Sequence, residues 1–348
     1  MLQFESWKKI LVLLVTVMGI VYAAPNAMPG DGSESGNFLP GQKINLGLDL
    51  QGGSHLLLRV DMDVVIQERL ESMAETVRLE FRQQKLRFSD LDVVDRTVVV
   101  TLRNASDGDA AREVFQEFGP VVSIAQDGSG YSITFTEQGL IDLQSRTIEQ
   151  SMEIIRRRID PDGTKEPVIQ RQGADRVLVQ LPGVDDPEEI KRLLGRTAKL
   201  TFQLVDTSIT AQEVRERGRA PSGSVLLPAD DDSGEFFVVE KRVMVSGELL
   251  DSAQASFDQN NRPAVTFALN AEGAKKFGRV TGANIGRPFA IILDGKVVSA
   301  PTIQSQIFGN GQITGNFSVA ETNELALILR AGALPAPLVV MEERSIGP

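Results

Sequence analysis

Residues 55–102 read HLLLRVDMDVVIQERLESMAETVRLEFRQQKLRFSDLDVVDRTVVVTL, and the change of hydrophobic period along this stretch decides the fold class. His55–Val60 is a short apolar run of strand length. From Met62 to about Arg87, the side chains Ile66, Leu70, Met73, Val77 and Phe81 recur at spacings of 4, 3, 4 and 4, which predicts one buried face of a helix. Leu91–Asp95 and Thr97–Leu102 return to strand patterning. Working outward, a helix over about Asp107–Phe118 and a strand over Val121–Gln126 complete the order βαββαβ. The turn Asp127-Gly128-Ser129-Gly130 then precedes a second round of the same order. It comprises strand Tyr131–Thr136, helix Glu137–Ile159, strands Pro167–Arg171 and Val177–Leu181, helix Pro187–Gly195 and strand Lys199–Val205. Two ferredoxin-like βαββαβ units in an α+β chain are the simplest reading of residues 41–206.

Residues 207–241 have weak periodicity, several Pro and Gly, and an acidic run at Asp230-Asp231-Asp232, so they read as a connector with an exposed tip. A smaller α+β unit is predicted over 242–332. Its elements are strand Arg242–Ser246, helix Glu248–Phe257, strand Ala264–Leu269, helix Ala271–Thr281, the hairpin Phe289–Leu293/Lys296–Ala300, and a helix near Ser318–Ala331. Asp294-Gly295 at the hairpin centre signals a type I′ turn. Leu334-Pro335-Ala336-Pro337 breaks the last helix, and the return segment 333–348 carries a strand-like run, Leu338–Glu342.

The chain has 348 residues, a formal net charge of −11, no Cys and one His. Disulfides, thiol nucleophiles and thiolate or His-cluster metal sites are thereby excluded. An acidic chain without a basic stripe repels nucleic acid. Residues 1–29 hold a charge-free stretch from Ile10 to Pro29, preceded by Lys8 and Lys9 and followed by Asp31 and Glu34. That asymmetry orients the amino terminus towards the cytoplasm. The stretch is long enough for a transmembrane helix, while an apolar run ending in Ala23-Ala24 equally suits a cleavable signal peptide. Either reading carries the bulk of the chain across the inner membrane, behind a Gly/Pro/Ser-rich linker at 30–40.

No G-x-G-x-x-G, Walker A, G-x-S-x-G or H-E-x-x-H pattern occurs, so no catalytic residue, cofactor or metal is assigned. His55 reads as a half-buried strand residue. Arg156-Arg157-Arg158 reads as cations complementing the end of a helix, and the pairs Asp61/Asp63 and Glu342/Glu343 lack partners that would separate their pKa values. The strongest local signal is Leu46-Gly47-Leu48-Asp49-Leu50-Gln51-Gly52-Gly53. There Gly47, Gly52 and Gly53 are expected to take backbone angles closed to other residues, and Asp49 and Gln51 to cap backbone groups.

LGLDLQGG at 46–53, EPVIQRQG at 166–173, RVLVQLPG at 176–183, GRPFAIILDGKVVSAPTI at 286–303 and LILRAGALPAPL at 327–338 together resemble the SecD family, membrane subunits of the bacterial protein-export translocase. The resemblance runs through nearly the whole chain in order. It implies a retained first transmembrane helix, then a periplasmic domain with a base at 41–206, completed by 338–343, and a mobile head at 242–332. It implies an accessory role in which the head captures emerging unfolded polypeptide and, with SecF and the SecY-containing translocon in the lipid bilayer, uses the proton-motive force. The expected second transmembrane helix and the proton-carrying groups lie beyond Gly347-Pro348. A freestanding secreted polypeptide-binding or scaffolding module is the alternative. A sequence-tolerant apolar cleft is the physical requirement for capture, and Phe257, Phe267, Phe277, Phe289, Ile291, Ile303 and Phe308 are its candidates, most of them expected to be core. Gly332, Pro335 and Pro337 are the candidate hinge.

Overall fold

The structure, a computed structural model, describes residues 6–27 and 52–346 apart from 165, 184–186, 222 and 231–233. Leu46, Gly47, Leu48, Asp49, Leu50 and Gln51, and the linker 30–40, lie outside the described residues. Helix α1 (Ser6–Ala27) presents exposed apolar side chains between Ile10 and Ile20. Among the described residues, no helix is long and apolar enough to cross a membrane.

Strand β1 (Gly53–Val60) leads into helix α2 (Met62–Gln83), but the two pack in different places. The face of α2 read from the sequence buries Ile66, Leu70, Met73, Val77 and Phe81. It packs with β2 (Phe88–Val94), β3 (Thr97–Leu102), α3 (Gly108–Gln116), β4 (Val122–Asp127) and β5 (Gly130–Phe135). Those strands form an antiparallel sheet in the order β2-β3-β5-β4. Its core is stitched by rings, with Phe81–Phe115 centroids at 5.8 Å and Phe115–Tyr131 at 5.2 Å.

Helix α4 (Glu137–Ile159) starts at Thr136, whose hydroxyl accepts from the Gly139 amide at 3.0 Å. Gly139 has no room for a side chain, because a Cβ there would run into the Val121 carbonyl. Next come β6 (Val168–Gln172), β7 (Arg176–Pro182) and α5 (Pro187–Gly195). Together with β1 and the final strand β17 (Leu338–Ile346), they form an antiparallel sheet ordered β17-β1-β7-β6. Ile148, Ile155 and Ile159 of α4, with Ile190 and Leu194 of α5, cover Leu56, Leu58, Val177, Val179 and Leu181.

This pairing corrects the grouping expected from chain order. The strands expected to open the two units change places: β1 joins the sheet of α4 and α5, and β5 joins that of α2 and α3. Period-two patterning marks a strand and its inward face but carries no information about its neighbour. The strand expected to close the second unit forms as β8 (Leu200–Leu204), but it pairs with β14 (Phe289–Leu293) and β11 (Val245–Ser246), in the order β11-β8-β14-β15 with β15 (Lys296–Ser299). Its expected position is taken by β17.

The second region adds a sheet of β12 (Leu250–Phe257), β13 (Pro263–Leu269) and β16 (Asn310–Thr314), and the helices α7 (Ala271–Ala283) and α8 (Val319–Ala331). Their apolar faces meet in one core that includes Phe202, Phe267, Phe277, Phe289 and Leu329. The segment 248–257 is therefore not the expected helix: a single 3-10 turn at Gly247–Leu249 leads into strand Leu250–Phe257. Leu249, Ala253 and Phe257 mimic a helical spacing, but pairing along the length of β13 overrides it. Strand β16 was not foreseen, since its sequence, Asn-Gly-Gln-Ile-Thr, is polar and contains Gly. It lies beside β13 because Gly311 leaves room for the Phe267 ring, which any Cβ at 311 would strike.

The stretch 207–241 is also more ordered than its sequence suggests. It holds helix α6 (Ala211–Arg217), begun by a Thr210/Glu213 capping box, and the hairpin β9 (Ser224–Pro228)/β10 (Phe236–Glu240). The hairpin packs Val239 against Ala290, Ile292 and Val297, and Val214 of α6 packs behind it on Val238. With this cap on one face and the Phe202 core on the other, all five residues of β14 are buried.

Candidate functional site

Two crossings connect the α4/α5 region to the Phe202 core: residues 196–199 between α5 and β8, and 332–337 between α8 and β17. The outgoing crossing thus lies ahead of 207–241, the stretch expected to make it. The two run side by side, with the Leu334 amide donating to the Thr197 carbonyl at 2.8 Å. Leu334 and Ala336 are buried in the α4/α5 core, and the Pro337 carbonyl accepts from the Asp61 amide at 3.1 Å. Pro335 and Pro337 therefore sit in chain already fixed to the first region. Gly332, at φ 100° and ψ 164°, is the joint between that fixed chain and α8.

On the far side of the outgoing crossing stands the predicted type I′ turn, with φ 50° at Asp294 and 80° at Gly295. The Asp294 carboxylate accepts from the amides of Ala198 at 3.0 Å and Lys199 at 2.8 Å, and from the Thr197 hydroxyl. A residue read only as turn chemistry thus also holds a crossing.

The candidates for an apolar cleft divide sharply. Phe267, Phe289, Ile291 and Ile303, like Phe277, are core residues between 2% and 5% exposed, and cannot meet another chain without opening the core. Phe257 and Phe308 are 56% and 68% exposed. They do not form one patch. Phe257 lies opposite Pro263 at one end of β13, whereas Phe308 precedes the strand that pairs with Ala268 at the other end. Phe308 rests on α7 where Gly278 leaves space.

Gly52 and Gly53 have φ 70° and 142°, so both occupy backbone space closed to β-branched residues. The Gly52 carbonyl accepts from the Gly183 amide at 3.0 Å, fixing the entry to β1. Replacing Gly53 by Val is expected to lower stability by about 1–3 kcal/mol through backbone strain. An unchanged urea midpoint for this variant would contradict that account.

Other groups singled out from the sequence have structural partners. His55 Nδ1 lies 3.2 Å from Gln180 Nε2. Asp63 pairs with Arg96, Glu342 with Arg344, and Glu343 with Lys191 at 2.7 Å. The Ser208 and Ser224 hydroxyls hold the Asp206 carboxyl below its usual range, and the Ser318 amide and hydroxyl do the same for Glu321 at the start of α8. Both carboxylates are charged at neutral pH, and the stability they add is lost only as pH falls through the carboxylate range. Among the described residues, no cluster of His, Asp and Glu could hold a metal ion.

Three family models match the chain: the SecD/SecF GG motif at residues 38–64, the N-terminal part of the SecDF P1 domain at 148–207, and the SecDF P1 head subdomain at 224–336. Protein translocase subunit SecD of Rickettsia conorii is 42% identical over 351 residues, covering 100% of this chain and 67% of its own length. The SecD subunit of Syntrophobacter fumaroxidans is 37% identical, covering 99% and 67%. A crystal structure of SecDF in its super-membrane-facing form superposes with a TM-score of 0.52 at 26% identity, over 98% of this chain and 35% of that one. The chain therefore spans about two thirds of these SecD relatives and about a third of that SecDF. With end-to-end identity at this level, the chain belongs to the SecD family of protein translocase subunits.

Proposed function

We propose that the chain is an accessory subunit of the Sec translocase whose periplasmic part captures emerging unfolded polypeptide and moves it by swinging a head against a base. The observation that carries this reading is the division of one SecD-family chain into separately packed cores joined by two short, adjacent crossings. Such a connection suits rigid-body motion with the loop residues absorbing the change. The base comprises the sheets β17-β1-β7-β6 and β2-β3-β5-β4. The antiparallel order of the first supports a ferredoxin-like unit whose last strand arrives after the head, and the second supports a permuted one. The head is built around Phe202, with Gly332 as its pivot and Pro335 and Pro337 as the stiff end of the return link.

The membrane anchor is residues 10–29, charge-free in sequence. The 22-residue helix α1 covers most of this stretch, and between Ile10 and Ile20 its large side chains are apolar and exposed, which favours a lipid environment over water. Lys8 and Lys9 place its start in the cytoplasm. SecF and the SecY-containing translocon are the partners, and the proton-motive force is the energy source.

Site-specific photocrosslinking in carbonate-washed inner-membrane vesicles tests the reading. Crosslinkers at positions 257 and 308 are expected to label an arrested export intermediate, and those at the buried positions 267 and 289 to leave it unlabelled. Loss of the chain from the washed membranes would refute the anchor. Absence of labelling from both exposed positions would refute capture by this surface.

A further inference from the structure

Arg158 is fully buried in the last turn of α4, on the same face as Ile154, Ile155 and Ile159. Its neighbours in the basic run behave differently: Arg156 and Arg157 are exposed and pair with Glu153. The Arg158 guanidinium donates to four backbone carbonyls. Nη1 reaches Leu193 at 2.9 Å and Arg196, while Nη2 reaches Thr197 at 2.9 Å and Gly332 at 3.0 Å. Leu193 lies in the last turn of α5, and Gly332 caps α8. One side chain of the base thus binds the outgoing crossing and the returning one together, at helix ends whose carbonyls lack intrahelical partners.

We infer that Arg158 is a latch: it holds the head in one orientation on the base, and the head swings only when the carbonyls of the two crossings let go of it. The inference rests on the moving-head reading above and names the device that regulates the motion.

The arrangement makes release all-or-none. Burial brings the Arg158 pKa down to about 10, with Asp294 opposing the shift, so the group is charged at neutral pH. A buried cation becomes more costly with each acceptor its donors lose, and among the described residues Nε has no hydrogen-bond partner. Losing the outgoing crossing would remove two of the four acceptors, Arg196 and Thr197, and losing the returning one would remove Gly332; either loss leaves the cation less satisfied and favours departure of the other. From the head side, Asp294 grips Thr197, Ala198 and Lys199. The outgoing crossing is therefore clasped from both bodies. Gly332, free of side-chain restriction, supplies the joint about which the released head turns.

The test uses the full-length protein in membranes, with one spin label on the base and one on the head. Arg158→Lys keeps the charge but replaces the planar fork by a single ammonium. The separated population in the label-to-label distance distribution is expected to rise about tenfold or more, with β-sheet amides in both bodies still protected. In the unmodified protein, the Leu334 amide should exchange with solvent at least about tenfold faster than the amides of β1 and β8, because it opens with the latch and not with global unfolding. If Arg158→Lys fails to fold, this exchange measurement decides alone. Exchange of Leu334 at the rate of the cores, or a folded Arg158→Lys protein with the unmodified distance distribution, would overturn the latch. A distribution that shifts during export but ignores Arg158→Lys leaves the moving head standing without its latch. One that never shifts counts against the moving head itself.

Discussion

A disulfide between α4 and α8 is expected to stop this subunit's contribution to export, reducing it to the level of cells lacking the subunit, and reduction is expected to restore it. The helices pack against each other across the junction, one belonging to the base core and the other to the Phe202 core. The chain has no Cys, so among its own residues a pair introduced where the Cα atoms lie within ~7 Å has one possible partner each. The bond removes the single freedom that the two crossings provide, and leaves both cores as they were. Loss of export help with unchanged circular dichroism would therefore assign the effect to motion and not to folding. Undiminished export with the bond shown to be fully formed would leave the domain a static docking surface.

What the sequence made legible was local. The helices at Met62–Gln83, Glu137–Ile159 and Val319–Ala331 follow from apolar residues repeating every three or four positions, and the Asp294-Gly295 turn from residues that tolerate positive φ. What it hid was the choice among partners. Nothing in His55–Val60 says that it pairs with Leu338–Ile346 from the far end of the chain, and nothing in Leu200–Leu204 says that it leaves the base for the head. The site divides in the same way. Phe289 and Phe308 look alike in sequence, yet one is core and the other exposed. Arg158 differs from Arg156 and Arg157 only by falling three and four positions after Ile155 and Ile154. That spacing was a usable signal: it places a cation on the buried face, where it must find acceptors. Gly52 and Gly53 were readable because glycine is the residue least strained at the positive φ found there.

The second large effect is expected at Phe202, which no candidate set included because it lies in a strand assigned to the base. Its ring is 1% exposed, with centroids 5.4 Å from Phe267, 5.4 Å from Phe277 and 5.9 Å from Phe289. Truncation to alanine removes the ring on which those three converge, and the surrounding strands can collapse only partly, so about 3–5 kcal/mol of stability should be lost. Because the base packs around different residues, urea unfolding of Phe202→Ala should show the head transition shifted down by roughly 2 M, at a slope of about 2 kcal/mol per molar. The base transition should stay in place. Phe257→Ala and Phe308→Ala, at exposed positions, should move neither transition by more than about 0.5 kcal/mol, while weakening the crosslinks to exported chain. A Phe202→Ala shift as small as theirs would mean that the head does not depend on this aromatic centre. A base transition falling in step with the head would mean that the two cores unfold as one, removing the mechanical independence on which a swinging head depends.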